Sequence, residues 1–262
     1  MSIFAFPKGA RPGTFLHELL EQVDFEKSDD PFIENLVSEK LAEYGFDLQW
    51  EKTIIGLIHR VKRASLSKTD PDFRLCHIPS DDQIDELGFY FPIKDVQPNR
   101  IKAIIDTVPW VRRAKVDMYP LDTYQINGMM KGFIDLIFSY KNKYYILDWK
   151  SNYLGPERKD YNQSSMKRAI LEHYYILQYY IYTIALHRYL GQRIENYNYE
   201  THFGGIYYIF LRGLDNKHSG NSGVFWDRPT IDTVLALDQF FHQGVNFFFK
   251  QSAFFSQKSF DF

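Results

Sequence analysis

The chain has 262 residues, 45% apolar and 24% charged, enough to bury a core and too apolar for a disordered segment. Its formal charge of -2 excludes recruitment of nucleic acid by bulk charge, so such a partner has to meet a local basic patch. One cysteine, Cys76, excludes a disulfide framework, a Cys-rich zinc module and a four-Cys iron–sulfur cluster, and suits a reducing compartment, the cytoplasm.

The N-terminal MSIFAFPKGARPG carries too short an apolar run and too early a proline for a secretory signal, and no apolar stretch reaches about 18 residues, so no membrane partner is expected. Thr14 reads as the N-cap of a helix over FLHELLEQV, with Leu16, Leu19, Leu20 and Val23 on one face and His17, Glu18, Glu21 and Gln22 on the other. Helical patterns continue at Phe32 to Tyr44, stopped by Gly45, at Thr53 to Ser65 and at Asn99 to Val108, with a Pro- and Asp-rich loop from Ser67 to Ser80. Glu86 to Ile93 changes to an aromatic, apolar run and predicts the first strand.

Gly132 to Ser151, GFIDLIFSYKNKYYILDWKS, predicts a β-hairpin, two apolar runs around a polar turn. A long Tyr-rich helix is expected from about Tyr161 to Leu190, then a strand at Gly204 to Leu211, a Gly/Asn/Ser loop at 213–223 and a last helix near 231–243. The order predicts an α/β fold, a central mixed sheet covered by helices, in a single domain: a mainly helical part at 1–84, the sheet core at 85–215, and a C-terminal loop and helix at 216–262. The Phe-rich end after residue 240 is expected to pack on a neighbouring domain.

Buried strands should not carry charge, yet this hairpin holds Asp135 in FIDLIF and Asp148 and Lys150 in YYILDWK. With the turn centred between Lys141 and Asn142, Tyr140 faces Lys143 and Asp135 faces Asp148 across the ladder. Opposed carboxylates about 4.5–5.5 Å apart at Cβ repel unless something positive sits between them, and a divalent cation would serve. Alternation puts Lys150 on the face of Asp148. Carboxylate oxygens select Mg²⁺, Mn²⁺ or Ca²⁺, and two carboxylates, a cation and an ammonium suit phosphodiester hydrolysis.

The runs GMMKGFIDLIF, YYILDWKSNYLG, LQYYIYTIALHRYL and HFGGIYYIFLRG, with FPKGARPGTFLHELLE near the start, resemble the C-terminal nuclease domain of RecB proteins, the helicase–nuclease subunits of bacterial RecBCD (exodeoxyribonuclease V). The D-x12-D-x-K spacing is that of the PD-(D/E)xK nuclease superfamily, with Ile134 in place of the eponymous proline. The resemblance implies a restriction-endonuclease-like core and an Mg²⁺-dependent deoxyribonuclease acting mainly on single-stranded DNA, without sequence specificity, in double-strand-break repair and recombination. It implies that Asp135 and Asp148 bind the metal, that Lys150 is the catalytic lysine, and that His17 joins the metal shell with the backbone carbonyl of Trp149. Glu86 matches an acidic residue that holds a second metal or a water, and Gln178 and Tyr182 match a Q-x3-Y pair touching the scissile phosphate or the DNA backbone. The other tyrosines nearby, Tyr174, Tyr175, Tyr179 and Tyr180, are assigned to packing, and Lys131, Lys141, Lys143, Lys159, Lys167 and Arg168 are candidates for phosphate contacts.

No GxxxxGK[ST] phosphate loop is present, so the resembled motor is absent from this chain. The implied partners are DNA and RecC- and RecD-type subunits, with a monomer expected in isolation. The alternative is an assembly module that docks a RecA-type recombinase, with little intrinsic nuclease activity.

Overall fold

The computed structural model describes residues 1–114, 116, 126–215, 222–239 and 248–250. Helices α1 (Ala10–Glu21), α2 (Asp30–Glu43) and α3 (Glu51–Arg63) precede strand β1 (Gln83–Val96). Helices α4 (Pro98–Ile105) and α5 (Pro109–Ala114) lead to β2 (Ile126–Tyr140) and β3 (Lys143–Lys150). Helices α6 (Gln163–Glu172), α7 (Tyr175–Arg193) and α8 (Tyr199–His202) then connect to β4 (Phe203–Phe210), followed by β5 (Val224–Asp227), α9 (Ile231–Asp238) and β6 (Phe248–Lys250).

The strands form one sheet in the order β5-β4-β3-β2-β1-β6. Only β3 and β4 run parallel, joined through α6 to α8, and every other pair is antiparallel. The sheet is therefore mixed and covered on both faces, as the order of patterns predicts. Side chains alternate cleanly on β3. Tyr145, Leu147 and Trp149 join the core under α1, α2 and α3, whereas Ile146 joins the core under α4 to α7 and α9. All of β4 is buried, which suits a central strand with helices on both sides.

The hairpin turns where the sequence puts it. Lys141 and Asn142 have φ of 50° and 60°, the backbone of a two-residue I′ turn, and Tyr140 pairs with Lys143. Helix α1 begins five residues before the expected start, with Gly9 at its N-cap. Thr14 lies inside it, its Oγ1 donating to the Ala10 carbonyl at 3.2 Å. The mistaken cap arose because Pro12 reads as a boundary, although proline is tolerated in a first turn that has no N–H acceptor to lose.

The single long helix expected from Tyr161 to Leu190 is two helices. His173 caps α6 and Tyr174 takes the left-handed conformation at φ 56° before α7 begins. No glycine or proline marks this break, and a left-handed tyrosine costs on the order of 1–2 kcal/mol that the packing of α6 against α7 must offset. The last helix ends at Asp238, and the expected continuation to 243 lies outside the described residues, as does most of the Phe-rich end. Residues 248–250 of that end form β6, pairing with β1 at Gly88–Tyr90. Among the described residues no helix is long and apolar enough to cross a membrane.

Candidate active site

The β2–β3 ladder holds the predicted register from Tyr140/Lys143 down to Leu136/Leu147 and stops there. At the next step Asp135 accepts the Trp149 backbone N–H with Oδ2 at 2.8 Å. The strands part at the acidic pair, and one carboxylate fills the gap that an extended ladder would have closed. On the other side of β2, the β1 register runs through Asp85/Leu136 and Leu87/Ile134 and skips Glu86, whose φ is 48°. Glu86, Asp135 and Asp148 therefore occupy one row across three strands at the point where regular pairing fails on both sides.

Helix α1 crosses this row with residues four apart. Gly13 lies so close to the exit of β3 that a Cβ there would stand 3.0 Å from Ser151 Oγ. One turn on, His17 Nδ1 is 3.4 Å from Asp135 Oδ2. A further turn on, the Glu21 carboxyl lies against that of Glu86. The absence of a side chain at Gly13 thus lets the helix sit low enough for the next two residues of its stripe to reach the strands.

From the opposite face, α7 closes the site. Lys150 Nζ pairs with Asp148 Oδ1 and donates to Gln178 Oε1 at 2.8 Å. The Gln178 amide in turn donates to the Tyr182 hydroxyl at 2.9 Å, as their spacing of one helical turn allows. Asp148 and Lys150 are almost wholly buried, at 2% and 5% exposure, while His17 and Asp135 are partly open to solvent. The pair is buried but its edge is reachable.

Burial pushes the Asp148 carboxyl up to about 6 against the pull of Lys150, with Asp135 adding to the rise. Burial pulls the His17 imidazole down, but its hydrogen bond to Asp135 and the charges of Asp135 and Asp148 outweigh that and leave it raised. Burial also drives the Tyr182 phenol well above its ordinary range, so it stays protonated.

Two residues of this cluster escape the sequence reading. Tyr175, assigned to packing, lays its ring 3.8 Å from Lys150 Nζ. Tyr208, on β4 beside Asp148, places its ring 4.6 Å from the same ammonium, and its hydroxyl donates to the Tyr175 carbonyl at 2.8 Å, with Gln178 Oε1 3.2 Å away. Tyr175 shares a helix face with Gln178 and Tyr182, a signal available at i, i+3, i+7. Tyr179 and Tyr180 are core residues, as expected.

The hairpin lysines stand elsewhere. Lys141 pairs with Asp70 at the turn, the far end of the ladder from Asp135. Lys159 pairs with Glu157, and Lys131 lies over the Phe133 ring.

The two carboxylates suit a hard cation in kind, and the imidazole is an unusual ligand beside them. They are not gathered on one point. Among the described residues no group of three or more His, Cys, Asp or Glu side chains is placed to hold a metal ion. The cause is visible in the pairings, since Asp135 is turned to Trp149 N–H and His17 while Asp148 is turned to Lys150.

An α/β fold with a mixed sheet flanked by helices, opened at an acidic row, is consistent with a restriction-endonuclease-like architecture. No known family profile matches the chain. It is 42% identical over 239 residues to the RecBCD enzyme subunit RecB of Escherichia coli (strain K12), an alignment covering 90% of this chain and 19% of that protein. RecB of Haemophilus influenzae is 34% identical over 92% of this chain and 19% of its own length, and RecB of Mycobacterium tuberculosis 27% identical over 92% and 24%. The chain is thus homologous to RecB proteins over a domain-sized stretch, about a fifth of the length of these curated relatives.

Proposed function

We propose that the chain is a divalent-metal-dependent DNA nuclease domain of the RecB type, of the PD-(D/E)xK superfamily. It would hydrolyse phosphodiester bonds, mainly of single-stranded DNA and without base specificity, in double-strand-break repair and recombination. The observation that carries this reading is the meeting of His17, Asp135, Asp148 and Lys150 where β2 and β3 part. The partners in this reading are RecC- and RecD-type subunits, since its relatives are subunits of the RecBCD enzyme.

Asp135, Asp148 and His17 would hold Mg²⁺, or Mn²⁺ or Ca²⁺ in its place, with the Trp149 carbonyl and Glu86 as further oxygen donors. When bound, the ion supplies Lewis-acid polarisation of the phosphodiester. The chain's own groups do the rest. Lys150, steered by Gln178 and flanked by the faces of Tyr175 and Tyr208, carries a fixed positive charge that stabilises the negative charge growing on the phosphate oxygens. Gln178 and Tyr182 orient that ammonium and offer polar atoms to the strand.

The test is degradation of single-stranded DNA with Mg²⁺. Asp148→Asn and Lys150→Gln keep side-chain size and should each lower the rate by about 10²-fold or more while the circular dichroism of the fold persists. A doubly substituted protein that degrades DNA at the wild-type rate would overturn the reading.

A further inference from the structure

A second polar cavity lies on the sheet face that carries Asp148 and α7. It measures about 420 Å³, and its polar lining is Trp110, Arg113, Gln163, Ser164, Lys167 and Arg168, with no acidic residue. On a chain of net charge -2 this is the kind of local basic patch that the composition requires of a nucleic-acid binder. Among the described residues Arg113, Lys167 and Arg168 enter no ion pair. Three like charges held together without a counter-charge repel one another, and an anion among them relieves the repulsion.

The aromatic wall is fixed in place. Trp110 donates its indole N–H to Asp227 Oδ2 at 2.7 Å, the oxygen that also accepts from the Tyr179 hydroxyl at 2.9 Å. Its ring meets Phe225 edge-on with centroids 5.7 Å apart, and Lys167 Nζ stands 5.9 Å from its centroid. A held indole face next to cations is an arrangement that can stack a base and take the flanking phosphates.

Position relates the cavity to the cleavage site. Gln163 Nε2 donates to the carbonyl of Val224 at 2.8 Å. Val224 pairs with Ile209, and Ile209 pairs with Trp149, the residue between Asp148 and Lys150. Two strand spacings, roughly 10 Å, therefore separate Val224, which holds Gln163, from Trp149. Trp110 and Phe225 pack into the same core as α7, under the sheet face that carries Asp148 and Lys150.

We infer that this cavity is a second contact for the substrate strand, gripping single-stranded DNA a few nucleotides from the scissile bond through its phosphates and one stacked base. The inference rests on the nuclease reading for the identity of the strand. Its ligand is a phosphodiester chain with planar bases, which a free nucleotide or inorganic phosphate only partly reproduces.

The test is fluorescence anisotropy of labelled oligothymidylates of four and twenty nucleotides, with Ca²⁺ present, over a range of salt. Lys167→Glu and Arg168→Glu should each weaken the twentymer about tenfold and lower the salt slope, and the twentymer's advantage over the tetramer should shrink. Lys52→Glu, at an exposed position of α3, makes the same charge change elsewhere and should shift the twentymer less than twofold. Trp110→Leu should weaken it with the salt slope retained, because stacking releases no counterions. Equal losses for Lys52→Glu and the cavity variants, unchanged twentymer binding in the cavity variants, or thymidine monophosphate or phosphate binding there as tightly as the twentymer would each overturn the inference. Failure of the nuclease reading looks different: no Mg²⁺-dependent cleavage of any oligonucleotide, with the cavity variants still weakening the twentymer.

Discussion

Arg212 is fully buried at 1% exposure and has no carboxylate partner among the described residues. Its guanidinium donates to the carbonyls of Ile3 at 2.8 Å, Phe6 at 2.9 Å, Pro7 at 2.6 Å and Ser151 at 3.2 Å. One side chain therefore ties the segment leading into α1, which carries His17, to the residue that follows Lys150. Arg212→Met keeps the stem and removes every donor. Each bond from a charged donor nets about 1.5–3 kcal/mol, and the relief of burying a guanidinium offsets part of the total, leaving an expected loss of about 3–5 kcal/mol. For a chain of this size that lowers the melting temperature by roughly 10 °C. Urea unfolding followed by circular dichroism measures it. Arg212→Lys should recover only part of the loss, since an ammonium cannot span carbonyls on both segments. A loss below about 1 kcal/mol for the methionine variant would refute the clamp. The same variant should weaken the Mg²⁺ dependence of DNA cleavage, because His17 and Lys150 would no longer be held in one frame.

Burial, then the charge of Glu86 and the hydrogen bond to it, push Glu21 up to about 7 in the folded chain. A raised carboxyl binds a proton that the unfolded chain releases near the ordinary glutamate value of 4.5, so this contribution to stability is fully present below that pH and is lost as pH rises through about 7. Glu21→Gln should flatten the pH dependence of urea stability over that window and raise stability at pH 8, a comparison of midpoints at the two ends of the window. Tyr208→Phe removes the hydroxyl that binds Gln178 Oε1 and the Tyr175 carbonyl, and should cost about 1–2 kcal/mol in urea unfolding while lowering the cleavage rate through a loosened Gln178.

The hairpin and its register were legible because two apolar runs flank a Lys-Asn pair that tolerates the left-handed backbone, and alternation then fixes which charges share a face. The opening of the ladder at Asp135 was not, since the tie from its carboxylate to Trp149 N–H belongs to the unpaired strand end and leaves no periodic trace. His17 and Glu21 stood out as polar positions four apart, but their targets on β2 and β1 depend on how low α1 sits, which Gly13 sets. Tyr208 was beyond reach because parallel register across the α6 to α8 crossover has no local signal. The break at Tyr174 was hidden for lack of glycine or proline, and β5, four residues after a Gly/Asn/Ser loop, was too short to register as a strand.

The central claim is that the acidic row holds a divalent ion. Crystals soaked in Mn²⁺ and measured at the manganese edge should give an anomalous peak within about 2.5 Å of carboxylate oxygens of both Asp135 and Asp148, with His17 turned toward it. An anomalous map with no peak at that row, or with peaks only at surface carboxylates, would contradict it.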